Sequence, residues 1–375
     1  MLNLFAEGVV CLSRIVLSGY YGFHNVGDEA ILEATVALLR QYRPDLQLVV
    51  LSADPIHTRH CYGVEAVPRT SIPAVIQALR RAALLVSGGG GLLQDVTGWR
   101  TVPYYLGIMK IAMLLGTRVA VYNQGIGPLE RNSSRRMVKG VLSRVDFLSV
   151  RDPASAQLLR DLGIKADIMV AADPAFSLVP PSRQDVEKCL NKYDLQPDQQ
   201  NPLIALSMRL PPREGKSADN FISLAREACL YLEREKGARL LFLPCQQSDV
   251  EVGRAVFEVL SPGHRIIEKN ISPREMLCLI GGMDLLLGMR LHALIFAAVC
   301  GVPCVGLPYD PKVSAMLKLL GKEEIFEPGG LNFPRLRDQL NQSLTRGREC
   351  SAIRSVVRQQ KAEAKAAVLQ LLSLI

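Results

Sequence analysis

Short apolar runs that alternate with helix-like segments are the feature that most constrains the fold of this 375-residue chain. The stretch Leu285–Leu307 shows the pattern: an apolar run ends at Gly288, and a strongly apolar segment, Ala293–Cys300, is followed by a glycine and a proline. We interpret it as strand, turn, helix, turn and strand. Because the alternation recurs along the chain, the sequence predicts an α/β fold with parallel sheets.

The alternation is interrupted once, near the middle of the chain. Around Pro180–Pro181 the pattern relaxes, a polar stretch follows, and the run Leu203–Ser207 starts a second alternating half. Two βαβ halves joined by a linker are typical of two doubly wound domains that face each other across a cleft. We therefore predict two Rossmann-like domains, 1–182 and 183–345, and a C-terminal helix, 346–375, that packs back on the first domain.

Composition and charge restrict the partners, metal sites and membrane segments that we expect. The formal net charge of +8 suits a phosphorylated substrate, an anionic membrane surface or nucleic acid. No zinc-finger, RRM-like or compact Lys/Arg pattern supports nucleic acid, so we expect none as a partner. Nine cysteines lack CxxC pairs, which predicts reduced thiols in a cytoplasmic protein and no metal site. Arg290 and His292 interrupt the most apolar window, so we predict no membrane span.

Four residues with cationic or acid–base side chains follow strands of the second half: Arg209, Arg290, His292 and Lys312. Taken singly, each has a structural explanation, since an arginine near a strand end is often part of a surface ion pair. Ligands of open α/β sheets bind outside the carboxyl ends of the strands, where the fold would bring the four together. Arg290 and His292, at the start of a helix, predict a site for an anion and a proton transfer.

The first half contains glycine-rich loops at its strand ends. Gly19–Gly27 leads into a helix that begins near Asp28, where the helix dipole explains an acidic residue. Asn25, Gly27 and Asp28 could instead hold a ligand hydroxyl. Gly88–Gly91 leaves backbone amides unshielded, so a ligand can approach the main chain closely. The GxGxxG fingerprint with its acidic ribose partner is absent, and no GK[ST] follows, so we predict neither a dinucleotide site nor a P-loop.

Two further charged residues follow strands of the first half. Asp95 comes shortly after the glycine run and could reach the same pocket. Arg151 follows the predicted strand Asp146–Val150, and the next residue, Asp152, is its candidate partner in an ordinary surface ion pair.

Motifs from both halves together resemble a known family, the polysaccharide pyruvyl transferases, and specifically the CsaB type. The resemblance covers roughly residues 14 to 340, in register from end to end. It is carried by GYYGFHNVGDEAIL (Gly19–Leu32), SGGGGLLQD (Ser87–Asp95), NQGIGP (Asn123–Pro128), SVRDPAS (Ser149–Ser155), SMR (Ser207–Arg209) and above all GMRLHALIFAAVCGVP (Gly288–Pro303).

The resemblance implies a fold similar to the GT-B glycosyltransferases and the transfer of a pyruvyl group from phosphoenolpyruvate to a sugar as a ketal. The implied acceptor is N-acetylmannosamine of a cell-wall glycan on a lipid diphosphate carrier, on the side of the first domain. We expect no cofactor and, because no spaced cluster of ligands is present, no metal. The resemblance makes His292 the catalytic acid. The implied substrate-binding residues are Arg209, Arg290, Arg151, Lys312 and Asp95. Residues of the strand-end loops complete the predicted substrate site: Leu291, Asn25, Asp28, Gly89 and Gly90.

The residue types suit this chemistry independently. Phosphoenolpyruvate carries a carboxylate and a phosphate, and planar guanidinium groups bind both. Protonation of its methylene carbon makes the neighbouring carbon electrophilic, and a histidinium is the natural acid near neutral pH. We expect protonation of His292 to be coupled to donor binding.

Two other functions remain open from the residues. A GT-B nucleotide-sugar glycosyltransferase shares the paired-domain architecture, because fold alone does not determine function. Against it, the segment after Gly306 reads PYDPK and lacks the acidic ribose-binding residue of many GT-B donor sites. The second alternative is a non-enzymatic glycan- or phosphate-binding module, which would bind ligands without releasing phosphate.

Both ends of the chain bear on localisation. Met1–Leu12 lacks a basic start and a small-residue cleavage site, so we interpret it as a loose extension and not as a signal peptide. Basic residues at near-helical spacing in Ser351–Ile375 leave two alternatives: a helix that rests peripherally on the anionic cytoplasmic face of the membrane, or one that packs on the first domain, which we favour.

Overall fold

A computed structural model describes residues 13–96, 98–196, 198, 200–210, 216–308, 310–322, 332–348 and 351–375, without the side chains of residues 216–219. The predicted N-terminal extension, Met1–Leu12, lies outside the described residues, as does Tyr309 of the PYDPK segment. The described chain divides into two compact units. The first unit comprises the described residues up to Phe23, Thr35–Ala172 and Lys365–Ile375, and the second comprises His24–Ala34 and Asp173–Ala364.

A parallel sheet of seven strands forms the centre of the first unit. Its strands in chain order are β1 (Arg14–Ser18), β2 (Gln47–Ser52), β3 (Glu65–Pro68), β4 (Leu84–Gly88), β5 (Arg118–Gln124), β6 (Phe147–Val150) and β7 (Met169–Val170). The spatial order is β3-β2-β1-β4-β5-β6-β7, so the winding direction reverses between β1 and β4. The register pairs Ser18 with Ser87, which places the loops after β1 and β4 side by side.

A smaller parallel sheet of five strands forms the centre of the second unit. Its strands are β8 (Leu203–Ser207), β9 (Arg239–Phe242), β10 (Arg265–Ile266), β11 (Leu285–Gly288) and β12 (Cys304–Gly306). The order β10-β9-β8-β11-β12 repeats the winding of the first sheet, with its reversal between β8 and β11. Both sheets therefore have the strand order of a Rossmann-like domain.

Helices connect the strands of both sheets. They are α1 (Val26–Tyr42), α2 (Pro55–Tyr62), α3 (Ile72–Arg80), α4 (Thr101–Leu114), α5 (Asn132–Leu142), α6 (Pro153–Asp161), α7 (Arg183–Lys192), α8 (Lys216–Lys236), α9 (Val250–Phe257), α10 (Pro273–Gly281), α11 (Leu291–Cys300), α12 (Pro311–Leu319), α13 (Phe333–Arg346) and α14 (Ser351–Leu372). Single turns of 3-10 helix lie at Pro174–Ser177 and Gln247–Asp249.

Local sequence explains where several helices begin. Asp54, Asp152 and Asp310 each precede a proline, and each side chain accepts a hydrogen bond from a backbone N–H of the first turn. This combination of a capping carboxylate with a proline at the first helical position is a strong start signal, because the proline has no N–H that would need a partner. Strands β4 and β8 are buried along their whole length, as expected for central strands covered on both faces.

The predicted alternation of strands and helices is confirmed, with differences at weakly patterned segments. Helix α10 has the predicted bounds, whereas α8 starts before the predicted Phe221. The sequence analysis assigned no element to α2 or β3. Helix α2 is short and mostly polar, and β3 is an edge strand of four residues. Such short edge elements carry too little periodicity to be recognised from sequence.

Contacts within the chain show to which unit the C-terminal residues belong and where the two units divide. Residues Lys365–Ile375 belong to the first unit, and the Arg118 guanidinium donates a hydrogen bond to the Leu374 carbonyl. The main division of the chain falls between Ala172 and Asp173, ahead of the predicted boundary at residue 182. Of the helices in the described part of the chain, none combines the length and the apolar character that crossing a membrane requires.

Candidate active site

The strand reversal of the second sheet places two predicted site loops next to each other. Ser207 at the end of β8 is paired in register with Gly288 at the end of β11. The Met289 N–H donates to the Ser207 carbonyl over 2.8 Å, so the chain that leads to Arg290 is attached to the end of β8. Open α/β sheets bind their ligands outside the carboxyl ends of the strands at such a reversal.

Arg290 is a buried arginine that is paired with a buried carboxylate. Its Nε donates to Asp249 Oδ2 over 2.9 Å, and a second guanidinium nitrogen contacts Oδ1. The arginine side chain is 10% exposed and that of Asp249 is 2% exposed. Asp249 also accepts hydrogen bonds from the backbone N–H groups of Cys245 and Gln246. The bidentate pair therefore fixes the plane of the guanidinium group and compensates its charge.

His292 lies in the first turn of α11, two residues after Arg290. Its Nε2 is buried, makes no hydrogen bond to the described residues, and lies 3.6 Å from Oδ2 of Asp173. Asp173 is 4% exposed, and its Oδ1 accepts from the Ala175 N–H over 3.0 Å. The carboxylate is thus anchored on one side and faces the imidazole on the other, which suits a group that orients a histidine.

The start of α1 belongs to the same unit and borders the same residues. The Val26 N–H donates to the Cys245 carbonyl over 2.8 Å, and the Asn25 amide donates to Gln246 over 3.3 Å. Asn25 Oδ1 accepts from the Gly27 N–H at 3.0 Å, which makes Asn25 the cap of this helix. A Cβ atom on Gly27 would overlap the imidazole of His292. The predicted residues Asn25, Arg290 and His292 are therefore brought into one site.

A cysteine in the site is not a candidate nucleophile. Cys245 is fully buried, and burial raises the pKa of its thiol to about 11, although the nearby charge of Arg290 acts in the opposite direction. The charge of Asp28 acts in the same direction as burial, which shows that Asp28 also lies in this neighbourhood. Because only the thiolate is a good nucleophile, Cys245 stays protonated and unreactive near neutral pH.

The remaining predicted residues of the second unit differ in their surroundings. Arg209 follows β8 and is half-buried, with its Nε directed to the Leu210 carbonyl at 3.3 Å. Lys312 follows β12, and its Nζ lies 3.1 Å from Asp310 Oδ2 in a partly exposed ion pair. Leu291 is buried as the first residue of α11. The side chain of Arg290, the N-cap residue, makes no hydrogen bond to the first N–H groups of that helix.

The predicted glycine-rich and basic residues of the first unit lie at the carboxyl edge of its sheet. Gly89 and Gly90 have positive φ values of 80° and 62°, and the Gly90 carbonyl accepts from the Gly125 N–H at 3.0 Å. The Arg151 guanidinium lies so close to Gly125 that a Cβ there would be 2.8 Å from its Nε. Gln124 is fully buried, and neither heteroatom of its amide has a hydrogen-bond partner among the described residues.

Asp95 has a well-defined local environment. Its two carboxylate oxygens accept from the backbone N–H groups of Glu130 and Arg131 at 2.8 and 3.0 Å. Burial alone would raise the pKa of Asp95, but these two hydrogen bonds, together with one from the Ser134 side chain and the charge of Arg131, hold the pKa below its usual value. The carboxylate therefore anchors the loop between β5 and α5, and this contact is independent of any substrate.

The sequence analysis did not single out Asp173 or Asp249, and it predicted Gly27 as a residue that holds a ligand hydroxyl and not as one that contacts His292. The signal available for Asp173 was its position directly before a proline after a strand. Within the described part of the chain, no group of three or more His, Cys, Asp or Glu side chains is arranged to hold a metal ion.

The sequence is similar to a known family and to a named relative. Residues 25–311 match the sequence profile described as "Polysaccharide pyruvyl transferase", which covers more than half of the chain. The chain is 20% identical over 366 residues to the amylovoran biosynthesis protein AmsJ of Erwinia amylovora, covering 83% of this chain and 87% of AmsJ.

Two solved structures illustrate the similarity in fold. UDP-GlcNAc 2-epimerase from Methanocaldococcus jannaschii superposes with a TM-score of 0.66 at 14% identity, covering 96% of this chain and 99% of the epimerase. E. coli ADP-heptose LPS heptosyltransferase II superposes with a TM-score of 0.52 at 15% identity, covering 89% and 99%. At these identities the similarity shows the fold alone, and it confirms the predicted GT-B-like class with two Rossmann-like domains.

Proposed function

Because the chain belongs to the polysaccharide pyruvyl transferase family, and is therefore a transferase, we propose that it moves the pyruvyl group of phosphoenolpyruvate to a sugar as a ketal and releases phosphate. The proposed acceptor is the CsaB-type one, N-acetylmannosamine of a cell-wall glycan precursor on a lipid diphosphate, reached at the cytoplasmic face of the membrane. One observation carries the proposal: His292, with its buried Nε2 beside Asp173, lies two residues after the anchored Arg290 at the reversal of the second sheet.

The start of α11 supports an anionic donor. The first N–H groups of a helix lack partners within the helix and carry a partial positive charge, so they favour a phosphate or a carboxylate. At α11 the side chain of the N-cap residue, Arg290, does not cap them, because a guanidinium group has only N–H donors and cannot accept their hydrogen bonds. At α12, by contrast, Asp310 accepts from the Lys312 N–H at 3.0 Å. We therefore propose that the donor binds at Leu291 and Arg290, next to β8, which Arg209 follows.

Carboxylates compensate two of the positive charges that the sequence analysis assigned to the site. Asp249 balances Arg290, and Asp310 balances Lys312. The pair with Asp249 uses two of the five N–H donors of the guanidinium group and holds its plane. In the proposed site Arg290 therefore acts mainly through oriented hydrogen bonds, while Arg209 and the helix start contribute positive potential.

The chemistry requires a proton donor and two acceptor hydroxyls. His292, as imidazolium, protonates the methylene carbon of phosphoenolpyruvate, and one hydroxyl of the sugar adds to the neighbouring carbon. The second hydroxyl then displaces phosphate and closes the ketal. Of the two hydroxyl protons, one returns to His292 and the other leaves with phosphate. The carboxylate of Asp173, 3.6 Å from Nε2, orients the ring for this step.

The predicted residues at the other sheet edge are proposed to act on the acceptor side. Arg151 and the amides of Gly89 and Gly90 suit a diphosphate or sugar hydroxyls. Asn25 and Asp28, at the start of α1 in the second unit, are also proposed to bind hydroxyls. The buried amide of Gln124, close in sequence to the loop that contacts Arg151, supports a polar ligand or water at this edge. Asp95 is proposed to contribute through the loop that it anchors.

Phosphate release together with product mass tests this function. Lipid-linked N-acetylmannosamine glycans are incubated with phosphoenolpyruvate and the full-length protein, and we expect phosphate release with a pyruvyl-sized mass gain on the glycan. His292→Gln should lower turnover by at least about a hundredfold, the usual contribution of a general acid, with an unchanged circular dichroism spectrum. Near-normal turnover of this variant would reject the assignment of the acid.

Thermal shifts, together with the assays of phosphate release and product mass, separate the alternative functions. Thermal shifts are recorded with phosphoenolpyruvate and, in parallel, with UDP-sugars. A shift with UDP-sugars and none with phosphoenolpyruvate, together with sugar transfer to the glycan, would replace the proposal by a glycosyltransferase. Ligand binding without release of phosphate across the acceptor panel would indicate a binding module.

A further inference from the structure

Two large aromatic side chains are exposed at the carboxyl edge of the first sheet. Tyr20 and Phe23, in the loop between β1 and α1, are 39% and 40% exposed. Their rings stack on each other, with centroids 4.0 Å apart and planes 8° from parallel. Exposed apolar groups scattered singly need no explanation, but an ordered apolar pair at a ligand-binding edge marks a recognition surface.

Arg69 extends this stack on the far side of Phe23. Its guanidinium carbon lies 4.9 Å from the centroid of the Phe23 ring and 4.4 Å from that of Tyr104. The guanidinium donates to the Gly19 carbonyl at 3.2 Å, and the Tyr104 hydroxyl donates to the Arg69 carbonyl at 2.9 Å. The layers Tyr20, Phe23, Arg69 and Tyr104 therefore form one built surface, which we call the aromatic stack.

The loop that presents the aromatic stack is closely packed. Gly22 has a φ of 77°, and a Cβ atom there would overlap the Ser52 hydroxyl. A Cβ atom on Gly19 would overlap the ring of Tyr21, whose hydroxyl donates to the Gly88 carbonyl at 2.9 Å. A surface that is held in place before binding loses little conformational entropy when a ligand arrives.

The position of the aromatic stack matches the rule for ligand sites in this fold. It follows β1, which neighbours β4 at the strand reversal of the first sheet, and Tyr21 joins its loop to the glycine run after β4. The aromatic stack and the glycine run thus belong to one ligand-facing edge. An apolar face beside exposed backbone amides suits a ligand with an apolar face and a polar rim, as a pyranose ring has.

We propose that the aromatic stack is a sugar subsite, in which the exposed ring of Tyr20 packs against the C–H face of a pyranose. The identification of that sugar as part of the acceptor glycan rests on the proposed function. Arg69 contributes by holding Phe23 and hence Tyr20 in place. A nucleobase would also stack on such a ring, and it is the competing occupant that the test must separate.

Saturation-transfer NMR on the full-length protein tests the subsite without phosphoenolpyruvate. The probes are the methyl glycosides of glucose, galactose, mannose and N-acetylmannosamine, with uridine as the nucleobase probe. We expect at least one glycoside to bind and Tyr20→Ala to weaken its binding at least about tenfold, the loss typical of one aromatic contact. Tyr20→Trp should retain binding, because it keeps an apolar ring at the position.

Leu114→Ala is the matched control, since it removes an exposed large side chain, 86% exposed, from the last turn of α4. It should bind glycosides as the unchanged protein does. Tyr20 is the outer layer of the aromatic stack, so its replacement leaves Phe23, Arg69 and Tyr104 in contact and should not unfold the protein. Glycoside binding that is unchanged in Tyr20→Ala, no binding of any glycoside, or binding of uridine alone would each overturn the proposal.

The two proposals fail separately. Glycoside binding that depends on Tyr20 in a protein that never releases phosphate would support the sugar subsite and contradict the pyruvyl transfer. Pyruvyl transfer with an acceptor KM that is unchanged in Tyr20→Ala would support the transfer and overturn the subsite. If both hold, Tyr20→Ala should raise the acceptor KM at least about tenfold and leave the KM for phosphoenolpyruvate unchanged, as expected for a lost aromatic contact to one substrate only.

Discussion

His292 and Gly27 are in direct contact, so close that any Cβ atom on Gly27 would overlap the imidazole ring. The glycine lies in the first turn of α1 with ordinary helical backbone, since it is not among the residues with positive φ. Glycine is therefore required at position 27 because a larger side chain would not fit, and not because the backbone adopts a conformation that favours glycine. The ring of His292 lies between this glycine and Asp173, and these two neighbours restrict its orientation.

Gly27→Ala should displace His292 and leave the fold intact. The new methyl group must displace the imidazole from its position beside Asp173, and a misplacement of about 1 Å can lower turnover about a hundredfold. Alanine is a better helix former than glycine, so we expect little change in Tm. Phosphate release and Tm are measured on the same preparation.

The matched control is Gly140→Ala in α5, where a Cβ atom meets nothing within 4 Å. This variant should keep its full turnover and gain slightly in stability. Equal turnover of Gly27→Ala and Gly140→Ala would show that the position of His292 does not matter for the reaction.

Asp173→Asn should lower kcat and spare donor binding. The carboxylate orients His292 but is not placed against phosphoenolpyruvate, so we expect kcat to fall at least about tenfold with an unchanged KM for the donor. Asp173→Asn also weakens the hydrogen bond to the Ala175 N–H.

Asp185→Asn controls for that structural loss, because Asp185 also accepts a backbone N–H at a helix start, from Ser182 at 3.3 Å. It should lower stability by a similar amount without changing kcat. If the two variants lose stability equally and turn over equally, Asp173 has only a structural role.

The buried pair of Arg290 and Asp249 should dominate the stability of the second unit. Replacing either residue alone leaves an uncompensated buried charge, which costs about 3–5 kcal/mol of the free energy of unfolding. The double variant Asp249→Asn/Arg290→Gln should recover a large part of that loss and remain inactive. Urea denaturation of the four proteins gives the coupling free energy. Additive single losses below about 1 kcal/mol would contradict a tightly coupled pair.

Asp95 should make stability depend on pH at the acidic end. Its pKa in the folded protein lies below the ordinary value of 3.8, so its stabilisation is fully present above about pH 4. The stabilisation is lost as the pH falls through the lower folded pKa. Asp95→Asn should therefore cost about 1–3 kcal/mol at pH 7, and the difference from the unchanged protein should shrink below pH 4. A difference that is constant from pH 7 to the acid transition would exclude an ionised Asp95 as its cause.

The sequence by itself determined the elements that rest on local patterns. Strand β11, the turn at Arg290 and helix α11 follow from an apolar run, a glycine and a second apolar run within a few turns of chain. The capping carboxylates before prolines, such as Asp310, are local as well. The position of His292 at the end of a parallel strand could therefore be predicted, because periodicity and capping depend only on neighbours in the chain.

Only the tertiary structure decided the partners of those residues. Arg290 pairs with Asp249 because β9 and β11 both neighbour β8, so the loops after these strands lie at one edge of the sheet. His292 contacts Gly27 and Asp173, which come from the start of α1 and from the chain after β7. No local pattern specifies such contacts, since they depend on strand order and on close packing between segments that are distant in sequence.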